Sequence, residues 1–307
     1  MSDTRDLDES ALELHDTTLG GGAAPAISHG RPGKSARRAK DLAWYLFLTF
    51  ISLFVLFPIY MTLVRALSTP AAYINEGLPL YPVKIQWGIF RHAFEVGDMG
   101  QKMIVSGVVT VIIAGAQLIT SILAAYAFAF LRFPLKRLVF VLTMATLMLP
   151  IEVTLIPNIT NIRNWGLLNS YAGLTLPFLA TAFGIFLIRQ GFLGIPKDLL
   201  DAAKLDGYGH FAFMTRIAVP VTRPVVASFA VISLLAAWNQ YLWPRAVVSV
   251  AEWETVQIGL KSLVASNVEE SNIGFAGALI AAVPVLLLLI FLQRHLIRGL
   301  TAGAVKG

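Results

Sequence analysis

The sequence predicts an all-α, polytopic membrane protein with six transmembrane helices. Three observations lead there. Only 14% of the 307 residues are charged, against roughly 25% in soluble domains. Hydrophobic residues make up 56%, and the mean hydropathy is +0.70. The apolar residues gather into six almost charge-free runs, each close to the ~20 residues that carry a helix across a hydrocarbon core about 30 Å thick. The absence of cysteine excludes disulfides, thiolate metal sites and cysteine nucleophiles. The net charge of +6 is not a nucleic-acid signal here, because the basic residues lie between the apolar runs, where they set membrane orientation.

Taken in chain order, residues 1–41 come first and differ from the rest. Early acids (Asp3, Asp6, Asp8, Glu9, Glu13, Asp16) give way to Gly20, Gly21 and Gly22, then to Arg31, Lys34, Arg37, Arg38 and Lys40. No apolar periodicity appears, which predicts a disordered cytoplasmic tail. No apolar segment precedes residue 42, so a cleavable signal peptide is not expected. Residues 42–307 form the membrane domain. Its predicted spans are 42–64, 103–131, 138–162, 170–188, 225–243 and 271–293. The third is interrupted by Pro150, Glu152 and Pro157, and Pro177 and Pro284 lie in the fourth and sixth. Such breaks persist in membranes where neighbouring helices or a cavity satisfy the freed backbone groups. They suit helices lining a pathway, or ordinary packing.

Seventeen of the 24 Lys and Arg residues fall in the tail, the 132–137 turn, the 189–224 loop and the C-terminal segment. The remaining seven lie in the alternate loops, so the positive-inside rule places both termini and the 189–224 loop in the cytoplasm. The opposite loop, 65–102, contains Trp87, Phe90 and Phe94, and is expected to hold a short amphipathic helix along the membrane surface.

The 189–224 loop carries a structured pattern. Pro196 suits the first turn of a helix, with Asp198 near its positive end. Leu199, Ala202, Ala203 and Asp206 follow at helical spacing. Gly207 and Gly209 permit a turn, and a second short helix is expected to reach about Ile217. Two short helices would make a compact knob, and the small Ala202 and Ala203 would admit the close approach of another protein.

These residues resemble the EAA loop of ABC importer permeases. The string DAAKLDG, followed by Ile217 and Pro220, matches that family's E-A-A-x-x-D-G…I-x-x-P at Ala202, Ala203, Asp206, Gly207, Ile217 and Pro220. Asp201 replaces the usual Glu, Tyr208 the usual Ala, and Met214 stands where Phe is common. The resemblance covers residues 42–307. LMLPIEVTLIP (147–157), NSYAGLTLPF (169–178) and WNQYLWP (238–244) look like the second permease of glycerol-3-phosphate importers. GLTAGAVKG (299–307) looks like the tail of maltose-importer permeases. The resemblance implies a type I ABC importer permease fold in a bacterial inner membrane. It implies a homologous permease partner, two ATPase subunits that bind ATP and Mg, and an extracytoplasmic solute-binding protein. No cofactor is expected in this chain, and it is expected to be a transport subunit and not an enzyme. The loop residues Asp201, Ala202, Ala203, Asp206, Gly207 and Pro220 are those the family uses to dock the ATPase. Glycerol-3-phosphate or its diesters lead as solute, with a disaccharide such as maltose or trehalose as the alternative. An ion-coupled secondary transporter would need buried carboxylates or inverted repeats, and neither stands out.

Polar groups in the spans are candidates for the solute pathway. Glu152 follows Pro150 at the outer part of the third span, and reads either as a gate residue or as an interfacial carboxylate. Asn239 and Gln240 beside Trp238, Tyr241 and Trp243 offer amide donors and acceptors next to aromatic faces. Gln117, Thr120 and Ser121 suit the pathway or interhelical hydrogen bonding. No Lys or Arg lies mid-span, so an anionic solute would need a partner chain, a helix N-terminus, or an outer residue such as Arg163 or Arg245. Gly33, Lys34 and Ser35 imitate the end of a phosphate loop, but residue 28 is Ser, so nucleotide binding is not expected. The five His show no metal-ligand spacing.

Overall fold

A computed structural model describes residues 34–266 and 271–301, with side chains for 40–264 and 271–293. Most of the predicted tail and the end of the C-terminal motif lie outside these residues. The chain divides into two units between Leu56 and Phe57. In the first, helix α1 (Lys34–Leu67) starts at Lys34 and not at residue 42. The helix therefore begins within the segment read as tail. Lys, Arg and Ala are strong helix formers, so the basic segment continues the apolar helix instead of ending it.

In the second unit every described element is helical. Helix α2 (Ile89–Val96) is the expected amphipathic helix of the 65–102 loop. Ile89 and Ala93 are buried against Ala66, Leu263 and Ile273, while Arg91 and Glu95 pair on the open side at 2.7 Å. Helix α3 (Met99–Phe130) is the long second span. Helices α4 (Lys136–Ala145) and α5 (Ile151–Asn164) follow, then α6 (Ala182–Leu193), α7 (Lys197–Leu205), α8 (His210–Phe213), α9 (Arg223–Trp238), α10 (Val256–Ser266) and α11 (Ser271–Thr301).

Three helical stretches are long and apolar enough to cross a membrane unbroken: Lys40–Leu67, Met99–Phe130 and Ser271–Gln293. The third and fourth predicted spans are bent pairs; the fifth, 225–243, overlaps a bent pair whose first half, His210–Val221, lies in the 189–224 loop, and the total reaches up to six if each pair counts as one crossing. The third span turns by 98° between Lys136–Met148 and Ile151–Asn164. Pro150 is the cause. It adopts extended backbone (ψ 144°) and holds Leu149 extended as well (ψ 114°), because its ring disfavours helix in the preceding residue. The fourth span bends by 49° after the Leu176–Phe178 turn that contains Pro177. The fifth bends by 82° at Thr222, between His210–Val221 and α9.

Helix α3 packs against α6 and α9, α9 also packs against α11, and α11 packs against α2 and α10. Towards the N-terminal half of α3, Val105, Val109 and Ile113 share a core with Ile162, Leu174, Trp243 and Ile258. Towards its C-terminal half, Ala125 and Tyr126 join Ile188, Phe192, Phe213 and Phe229. Between them Gly184 of α6 crosses against Phe229 of α9 and Ser121 of α3, where a Cβ would overlap both side chains. Small residues let membrane helices approach this closely.

Candidate functional site

The 189–224 loop folds as the sequence pattern requires. Pro196 precedes α7 with extended backbone (ψ 139°), and Asp198 occupies the first turn. The helix ends in a Schellman turn: the Gly207 amide donates to Lys204 O at 3.0 Å and the Tyr208 amide to Ala203 O at 2.9 Å. Gly207 takes φ +78°, the left-handed conformation this turn needs. Gly209 does not; its φ is −72°, and it caps α8. From His210 the chain stays helical to Val221, beyond the Ile217 limit expected. Within it Met214–Ala218 form a π turn. Pro220 has no amide to donate and its ring crowds the carbonyl four residues back, which the wider turn accommodates.

The knob has an inner and an outer face. Ala203, Phe213, Met214 and Ala218 are buried with Tyr126, Ile188 and Phe192, and Leu200, Tyr208 and Ile217 pack against them. This corrects the expectation for Ala203: its small side chain allows α7 to close on the chain's own core, and only Ala202 faces outward. Asp201, Asp206, Gly207 and Pro220 are also exposed. Asp201 pairs with Lys204 at 3.1 Å on the open surface. Three apolar residues that the motif does not include join this face: Leu205 is 90% exposed, Phe211 74% and Leu199 41%. The available signal was an apolar residue set directly before Asp206-Gly207, where nothing of the chain's own can cover it. His210 links the knob to α3, its Nδ1 lying 3.0 Å from Tyr126 Oη.

The pathway candidates divide. Gln117 is engaged at both ends of its amide: its Nε2 donates to Phe178 O at 2.8 Å and its Oε1 accepts from Ser233 Oγ at 2.6 Å. Thr120 donates to Leu179 O at 3.0 Å. Both reach carbonyls at the bend of the fourth span and so join it to α3. Trp238 is buried with Met99, Val256 and Ala281. Asn239 ends α9 in the open, its Nδ2 donating to Leu235 O at 2.9 Å and its Oδ1 accepting from Gln257 Nε2 at 3.4 Å. Gln240 holds a buried Oε1 with no partner among the described residues. Glu152 is exposed in the first turn of α5. Gln240 and Glu152 therefore keep polar capacity, whereas Asn239 and Gln117 are each engaged at both amide ends, and Trp238 is buried. Arg163 and Arg245 are exposed. Sequence reading missed Lys102 of α3, buried and paired with Glu254 at 3.1 Å. Glu254 lies 152 positions further along the chain, and no local pattern joins the two.

Bent helix pairs around a packed core, with a helical knob formed by the 189–224 loop, define a polytopic helical membrane protein. Residues 117–302 match the family described as binding-protein-dependent transport system inner membrane component. Over 272 residues the chain is 35% identical to the sn-glycerol-3-phosphate transport system permease protein UgpE of Yersinia pestis bv. Antiqua, covering 86% of this chain and 97% of that protein. The protein of the same name from Brucella suis biovar 1 is 35% identical over 273 residues, with 86% and 97% covered. Among solved structures, one of a bacterial ABC transporter involved in importing the acidic polysaccharide alginate superposes with a TM-score of 0.70 at 22% identity, covering 84% of this chain and 96% of that one. The chain belongs to the binding-protein-dependent transport system inner membrane component family. It is an ABC importer permease subunit of the bacterial inner membrane, a transport component and not an enzyme.

Proposed function

We propose that this permease moves glycerol-3-phosphate or a glycerophosphodiester inward by alternating access, driven by two partner ATPase subunits that bind ATP and Mg. The observation that carries the solute is the 35% identity, over nearly the whole of both chains, to permeases named for sn-glycerol-3-phosphate. A homologous permease completes the pathway, and an extracytoplasmic binding protein delivers the solute. Both termini face the cytoplasm, as the Lys and Arg asymmetry favours.

The knob is the docking element. Leu199, Leu205 and Phe211 supply exposed apolar anchors, ringed by Asp201, Ala202 and Asp206. Closure of the ATPases displaces the knob, and the Tyr126–His210 contact and the buried Phe213 carry that displacement to α3 and α6 as a rigid-body motion. On the solute side, Glu152 and Gln240 are polar groups free to face the pathway, with Asn239 exposed beside them. The experiment is energised uptake by cells with and without this gene, using labelled glycerol-3-phosphate, glycerophosphocholine, maltose and trehalose. Loss of the two phosphate compounds alone is expected. Loss of a disaccharide alone would keep the machine and overturn the solute.

A further inference from the structure

At the end of the bundle that carries the knob, three cations surround one cavity. Lys136, Arg137 and Arg189 line a space of about 240 Å³ with Phe128 and Phe140. The Arg189 guanidinium lies 4.2 Å from the Phe140 ring centroid and donates from Nε to Phe128 O at 3.3 Å. Lys136 Nζ donates to Leu131 O at 2.8 Å. Among the described residues no carboxylate pairs with any of the three. The C-terminus of α3 offers about half a negative charge, which leaves most of three positive charges uncompensated. Like charges gathered this closely repel one another, so an anion held among them would be favoured there.

The surroundings state which anion. Leu135, Leu138, Val139 and Leu142 beside the cavity are exposed and apolar, on a helix pair that forms a candidate membrane span. A ligand with a phosphate at one end and hydrocarbon at the other satisfies both surfaces. We propose that Lys136, Arg137 and Arg189 hold the headgroup phosphate of an anionic phospholipid, whose acyl chains lie along α4. The planar guanidinium groups match phosphate oxygens in pairs, and cationic pockets between membrane helices are places where lipid headgroups are taken up.

The test uses the full-length chain purified with its partner subunits, exposed to equal amounts of phosphatidylglycerol and phosphatidylcholine and read by native mass spectrometry. Preferential retention of phosphatidylglycerol is expected, falling roughly thirtyfold in R137Q/R189Q and persisting in R137K, while phosphatidylcholine adducts stay unchanged. An unchanged preference in R137Q/R189Q overturns the proposal. Displacement of the lipid by millimolar inorganic phosphate or glycerol phosphate overturns it in favour of a soluble anion. A second arm needs no variant: a photoactivatable phosphatidylglycerol should label the peptide spanning residues 128–140 in the wild-type complex. Labelling confined to other peptides, or an acidic side chain of a partner subunit crosslinked there instead, refutes a lipid in this cavity.

Discussion

The hydroxyl of Tyr126 and Nδ1 of His210 lie 3.0 Å apart, joining a transmembrane helix to the turn that follows α7. Tyr126 is otherwise enclosed by Phe130, Phe192 and Phe213. Tyr126→Phe should keep that aromatic packing and remove only the polar link, costing about 1 kcal/mol in stability. Expression and melting in detergent should hardly change, while ATP hydrolysis by the reconstituted importer should respond less to solute-loaded binding protein. A normal response would show that the contact does not carry the motion.

Gly207 tests the knob itself. Proline cannot adopt its φ of +78° or supply the amide that reaches Lys204 O. Gly207→Pro should leave membrane insertion intact and abolish ATPase association or coupled uptake. Gly207→Ala should cost about 1 kcal/mol and retain part of the activity. Co-purification of the ATPase with each variant distinguishes the cases, and normal ATP-dependent transport by Gly207→Pro would refute the docking role.

Glycines in the bundle are not equivalent. At Gly184 an added Cβ meets Phe229 and Ser121, whereas at Gly115 it meets nothing within 4 Å. Gly184→Ala should therefore destabilise by about 1–3 kcal/mol as α6 is forced off α3 and α9. Gly115→Ala should be neutral or slightly stabilising. Melting temperatures of the two variants in the same detergent make the comparison.

The Lys102–Glu254 pair has both side chains largely buried, at 10% and 19% exposure. Lys102→Met should cost about 3–5 kcal/mol, since it strands a carboxylate beside α10. Lys102→Met with Glu254→Gln should recover much of that loss. Equal destabilisation by the single and double variants would mean that the pair is not coupled.

How much of this could be read from sequence depends on whether the cause is local. The apolar runs, the break at Pro150 and the turn at Gly207 follow from neighbouring residues, and the break and the turn stand where the pattern put them. Direction was less legible. Ala202 and Ala203 are one position apart, yet one faces out and the other closes the core, because Tyr208 and Phe213 arrive from beyond the turn. Gln117 looked available until the fourth span bent and left the Phe178 carbonyl for it to satisfy. The Tyr126–His210 and Lys102–Glu254 contacts join residues far apart in the chain, and only the assembled bundle reveals them.

The bent spans bear on how such a chain is made. The longest half of any pair, Arg223–Trp238, has 16 residues and reaches about 24 Å, short of a ~30 Å hydrocarbon core. At the bend of the fourth span the Phe178 carbonyl accepts from Gln117 of α3, whose own Oε1 accepts from Ser233 of α9. During synthesis these segments cannot be released singly into lipid as finished units. They must wait beside the insertion machinery until α9 emerges, so truncation before residue 223 should yield a chain marked for degradation instead of a partial permease.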